Sequence, residues 1–146
     1  PWVEALLRFV VGAAMVPHGL RMCLGWFKGT GGPIDSVPKV AAFYDKRGYR
    51  PGWLWAYGTV LTQFVAAPCV ALGLFTRPIA FVLSGQMAVA YWMAHAPASS
   101  YPAVNGGDAA ILFCFIFLFF AAHGAGPLSL DALLARRRVA GSSTST

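Results

Sequence analysis

Four stretches of the chain are almost continuously apolar, at residues 3–24, 53–74, 79–93 and 109–122, and the segments between them hold most of the charge. None shows the strict apolar–polar alternation of a half-buried strand, so each is predicted to be helical, and about 20 apolar residues suffice to cross a bilayer. Glu4 and Arg8 interrupt the first run, and no small-residue cleavage site follows it. It therefore reads as a retained span and not as a signal peptide. The connections differ in kind. Gly73-Leu74-Phe75-Thr76-Arg77-Pro78 is a tight turn, with Pro78 suited to the first turn of the next helix. The first connection opens with a glycine-rich piece, Gly25 to Pro33. It then sets Val37, Val40, Ala41 and Tyr44 on one helical face against Lys39, Asp45, Lys46 and Arg47. That spacing predicts a short interfacial helix, ended by Gly48. The fold class is all-α: an integral membrane four-helix bundle with a short interfacial helix, one domain over residues 1–138 and a disordered tail over 139–146.

Composition agrees with the pattern. Of 146 residues 58% are hydrophobic and 11% charged, where a soluble domain carries about a quarter charged. Four spans with their turns leave no room for a separate soluble catalytic domain. The net charge of +6 comes from Lys and Arg in loops and at helix ends. No basic stripe interleaved with aromatics is present, so the expected partners are membrane lipids and other membrane subunits, with no nucleic acid. Cys23, Cys69 and Cys114 have neither CxxC nor metal-ligand spacing, and no metal site is predicted. Four spans place both termini on one side. Arg8, Arg77 and Arg136 to Arg138 there oppose Lys28, Lys39, Lys46, Arg47 and Arg50, and the dense cluster after the last span favours cytoplasmic termini in a bacterial inner membrane.

Polar groups inside apolar spans are the informative positions, because they are costly there unless partnered. Gln63 falls near the middle of the second span, with Thr59 and Thr62 on its face. This stripe serves either as interhelical glue or as the lining of a ligand site. His18 and Arg21 fall near one end of the first span, His95 ends the third on a face with Ser84, Ala88 and Tyr91, and Asn105 and Asp108 precede the fourth. Asn105-Gly106-Gly107-Asp108 can simply cap a helix, and Asp108 can pair with Arg21 or a histidine. Gathered at one rim, His18, Arg21, Gln63, His95, Asn105 and Asp108 would also suit a quinone head, which needs donors to two carbonyls and a proton relay. At the other end Arg8 and Arg77 are expected to snorkel to phosphates. Arg8, Gly12, Met15 and Gly19 share a face that permits close helix contact. The fourth span is apolar all round, so its outer face meets lipid or another subunit.

In order along the chain, several of these residues resemble the DoxX family of small four-span bacterial membrane proteins, from Arg8 to Asp131. Arg8 with Gly12, Pro17-His18-Gly19-Leu20-Arg21 and the 73–78 turn are similar to its motifs. So are Asn105-Gly106-Gly107-Asp108 and the closing Gly124-Ala125-Gly126-Pro127-Leu128-Ser129-Leu130-Asp131. The resemblance implies a four-helix bundle with cytoplasmic termini, associated with membrane redox systems. The family's namesakes are subunits of a thiosulfate:quinone oxidoreductase, and other members attach to oxidative-stress enzymes. It implies no intrinsic cofactor, with a bound quinone as the candidate ligand. Gln63 stands where the family commonly has Glu, which puts proton relay there in doubt; Asp108 replaces the commoner Glu conservatively. Whether the subunit catalyses is left open. The alternatives are a non-catalytic structural accessory subunit and, less well supported for want of an internal repeat, a small-solute transporter.

Overall fold

The computed structural model describes residues 1–26 and 34–142. Lys28 and most of the glycine-rich piece, 27–33, lie outside the described residues, as do 143–146. Among the described residues the chain is all helical. Seven helices follow in order: α1 (Trp2–Leu24), α2 (Val37–Lys46), α3 (Gly52–Leu72), α4 (Thr76–Ala90), α5 (Pro102–Asn105), α6 (Asp108–His123) and α7 (Leu130–Ser142). Residues 139–142, read from the sequence as tail, continue α7. Two helices, α1 and α3, are long and apolar enough to cross a membrane. The apolar α6 has 16 residues, about 24 Å at the helical rise and short of a hydrocarbon core of about 30 Å.

Two seams assemble the bundle. Along the first, α1 lies on α3 at backbone distance. A Cβ on Gly12 would stand 2.7 Å from the Ala67 carbonyl oxygen and the Ala71 Cβ, and one on Gly19 would stand 2.8 Å from the Phe64 nitrogen. Small residues at such crossings let helices approach where lipid removes the hydrophobic drive. Along the second, α4 lies on α6. Ser84 Oγ donates to the Cys114 carbonyl at 2.9 Å, beside the fully buried Leu83, Phe117 and Phe120. Val11, Met15, Ala67, Val70, Ala80 and Met87 complete the core between the seams. The periphery is apolar: Phe9, Leu61, Phe81, Leu112 and Phe115 are all more than half exposed. All three cysteines are free.

Two helices depart from α geometry. Thr62–Ala66 within α3 and Tyr91–His95, which prolongs α4, are π-helical. Such insertions widen a helix locally and concentrate at functional sites.

Candidate functional site

The ends of the bundle are built differently. At the terminal end, where α1 begins, the turn between α3 and α4 meets the segment after α6. Gly73 and Phe75 both have left-handed backbones, φ 73° and 47°. The turn presents the first amides of α4 to Asp131, whose two carboxylate oxygens accept from Phe75 N at 2.8 Å and Thr76 N at 3.0 Å. A carboxylate there also complements the helix dipole. Arg8 is 3% exposed. It donates to the carbonyls of Leu128 (2.8 Å), Ala71 (3.4 Å) and Ala125. Arg8 therefore does not snorkel as the sequence suggested, because the closing segment folds back over it. Arg77 is the exposed partner at this end, with Nη2 on the His123 carbonyl at 3.4 Å, and His123 pairs with Glu4 at 3.0 Å. Such an end ties helices together through backbone carbonyls and amides.

The connecting end, where α1 and α4 finish and α3 begins, holds a cavity of about 120 Å³ roofed by α2. That is below the about 150 Å³ of a closed cavity known to admit a benzene ring, so a substituted ring fits only by extending through the open side. Its walls are mostly apolar, from Met22, Ile34, Val40, Phe43, Val89 and Met93, with polar groups confined to Tyr44, Thr59, Gln63 and Gln86. Three bonds hold the roof down. Arg21 Nη2 donates to the Ile34 carbonyl at 2.6 Å, Tyr44 Oη meets Thr59 Oγ1 at 3.0 Å, and Arg47 Nε donates to the Met93 carbonyl at 3.0 Å. Asp45 Oδ1 accepts from Gly52 N at 2.8 Å, joining α2 to the start of α3. Both π segments contribute to the wall, through Gln63 and through Met93 and Ala94.

Within the wall, Thr62 Oγ1 bonds Gln86 Oε1 at 2.5 Å and its own backbone at Thr59. Gln63 is 6% exposed, and its Oε1 is buried with no hydrogen-bond partner. An amide so placed costs free energy until something bonds it. Among the described residues no carboxylate, histidine or basic side chain lines the cavity, and no group of His, Cys, Asp and Glu is arranged to hold a metal. The arrangement can orient a ring carrying carbonyl oxygens; it offers no relay for protons.

The rim expected from the sequence is dispersed. Of the six residues, only Gln63 lines this cavity. His18 lies on an exposed face of α1, and Arg21 is spent on the Ile34 carbonyl. His95 Nδ1 is 3.1 Å from the Asn105 carbonyl, and the ring stacks on Tyr91. Asn105 folds on its own loop, its Nδ2 on the Ser99 carbonyl at 2.7 Å and its Oδ1 accepting from Gly107 N at 2.7 Å. Asp108 is exposed in the first turn of α6 and pairs with no cation among the described residues. Conversely, sequence reasoning passed over Gln86 and placed Tyr44 only on the apolar face of α2. The available signal was a second glutamine inside an apolar run.

An all-helical chain with membrane-length helices and an apolar periphery belongs among integral membrane proteins. Residues 3–96, well over half of the chain, match the DoxX family, and a Haemophilus influenzae protein described as uncharacterized is 34% identical over 134 residues, covering 90% of each chain. The protein belongs to the DoxX family. No solved structure matches it. The matched region contains Arg8, His18, Gln63 and His95, while Asn105–Asp108 and the closing segment lie beyond it.

Proposed function

We propose that this DoxX-family protein is a four-span subunit of a redox system in the bacterial inner membrane, and that the cavity beneath α2 receives the head of a membrane quinone. The observation that carries this reading is Gln63, a buried amide on the wall of a mostly apolar cavity, whose Oε1 acceptor lacks the donor that a hydroxyl of the reduced quinol head would supply. In the oxidised state the Gln63 Nε2 group donates to a quinone carbonyl, in the reduced state Oε1 accepts from the quinol hydroxyl, and the Tyr44 and Thr59 hydroxyls stand on the same wall. A quinone, when bound, supplies the electron-accepting chemistry. The residues of this chain bind it, orient it and keep water away, while protons travel by another route. Both termini face the cytoplasm in this reading, with Arg77 and Arg136 to Arg138 on that side.

A second reading is an accessory subunit without chemistry of its own. The outward face of α6, with Leu112, Phe115 and Phe119 all exposed, favours it as a seat for another membrane chain. Mass spectrometry after gentle solubilisation from native membranes separates the two. Stoichiometric quinone, lost on Gln63→Leu, supports the first. A large assembly free of quinone, indifferent to Gln63→Leu, supports the second. Reporter fusions at the C-terminus and in the first connection test the orientation: activity of a cytoplasm-dependent reporter only at the latter would overturn it.

A further inference from the structure

A second, wider hollow of about 400 Å³ lies between α3 and α4, on the lipid-facing side of the bundle. It is continuous in its lining with the cavity under α2, since Tyr44, Thr59, Gln86 and Val89 belong to both. Of its polar groups, Thr59, Gln86 and the Tyr44 hydroxyl sit at the shared boundary, and Thr62 lies on the groove side, bonded to Gln86. Its remaining walls, Leu54, Trp55, Gly58, Val82 and Val89, are apolar or bare. Two hollows that share a polar junction, the smaller under α2 and the wider open at the bundle's exposed side, have the polarity profile of an amphiphile lying across them. Resting on the reading of the cavity as a quinone-head site, we infer that the α3–α4 groove is the lateral portal from the bilayer and holds the ligand's apolar tail, with the Tyr44–Thr59 pair as the partition between tail and head.

Two features argue that the groove is kept open. Gly58 is exposed in the interior of α3, where glycine costs a helix about 0.5–1 kcal/mol relative to alanine. A Cβ there would meet nothing within 4 Å, so no neighbouring helix demands the missing side chain. Its contrast with Gly12 and Gly19, which are glycine because a backbone crosses them, is plain. The second feature is the partition. The Tyr44 ring rests against Trp55, centroids 6.2 Å apart, and Tyr49, 6.4 Å apart. A single hydroxyl pair at 3.0 Å joins it to α3.

The test uses the full chain in lipid nanodiscs, with two probes: 2,3-dimethoxy-5-methyl-1,4-benzoquinone and the same ring bearing a decyl tail at position 6. Affinities are compared as mole fractions in the bilayer, so that partitioning cancels. Gly58→Leu fills the groove with a good helix former and leaves the cavity lining untouched. The expected result is that Gly58→Leu weakens the tailed probe about tenfold, the order of effect of overfilling a packed site, and changes the bare ring less than about twofold. Its thermal midpoint, equal to or above that of the wild type, shows that the variant folds. Equal loss for both probes, or loss for neither, overturns the portal while Gln63→Leu still reports on the head site. Failure of the wild type to bind either probe overturns the quinone reading and this inference with it.

Discussion

Gln63→Leu makes stability and binding move in opposite directions, and the structure gives the size of each. The residue stands eleven positions into a 21-residue helix, about 17 Å from its start at the helical rise and so far from either end. Leaving a buried polar atom unbonded costs about 1–3 kcal/mol. In a bilayer the unfolded helices also find partners, which places the benefit of removing the amide toward about 1 kcal/mol. Leucine is slightly smaller and wholly apolar, and the residue's neighbours are the apolar cavity lining and the α1 backbone at Gly19. The variant purified free of quinone is therefore expected to melt a few degrees higher, at about 2–4 °C per kcal/mol for a chain of this size. The same substitution removes a neutral hydrogen bond to the ligand, worth about 0.5–1.5 kcal/mol, a loss of about two- to tenfold in quinone affinity. Thermal unfolding in detergent and quinone titration measure the pair. A lower melting point in quinone-free protein would show that the amide has a partner within the fold, and the reasoning would fail.

The two seams and the terminal tie give further expectations. Gly12→Val drives a Cβ into the Ala67 carbonyl, which as backbone cannot yield, and should cost about 1–3 kcal/mol or more in unfolding measurements, whereas Gly58→Ala should be neutral to slightly stabilising. Asp131→Asn keeps the shape but removes the charge that two helix-start amides share, and a loss of about 1–2 kcal/mol is expected in the same assay. Arg8→Met leaves the carbonyls of Ala71, Ala125 and Leu128 without their donor; the segment after His123 should become cleavable by added protease at concentrations that spare the wild type. His95→Gln retains a donor to the Asn105 carbonyl and should leave quinone affinity unchanged, and a drop of tenfold would return His95 to the site.

Helical runs, the tight turn and the short helix after the glycine-rich piece were legible because each is written in local spacing. That α1 carries a face for close helix contact was legible too, from glycines seven residues apart, but not that α3 is the helix it meets. Local spacing fixes a residue's height along its own helix but not which neighbour it faces. Arg21 and His95 lie near the same end and still spend hydrogen bonds apart, Arg21 on the Ile34 carbonyl and His95 on its own following loop. Gln86 carries no such mark: a single amide in an apolar run has no spacing partner on its own helix, and its bonds are to Thr62 and Thr59 of α3. The environment of Arg8 was hidden for another reason. Its acceptors at Ala125 and Leu128 are carbonyls of a non-helical segment near the other end of the chain, and backbone carbonyls leave no mark in a sequence pattern.

That tie also sets an order of events during synthesis. Arg8 is made early, and its acceptor on Ala125 follows 117 residues later, which at about 5–20 residues per second is roughly 6–23 s. For the second half of that interval the guanidinium of α1 has only the Ala71 carbonyl of its final three acceptors. The segment after α6 then closes over α1 and hides the charge. A chain that stops short of Ala125 leaves Arg8 with the Ala71 carbonyl alone, so incomplete copies carry a half-satisfied guanidinium that finished ones have lost.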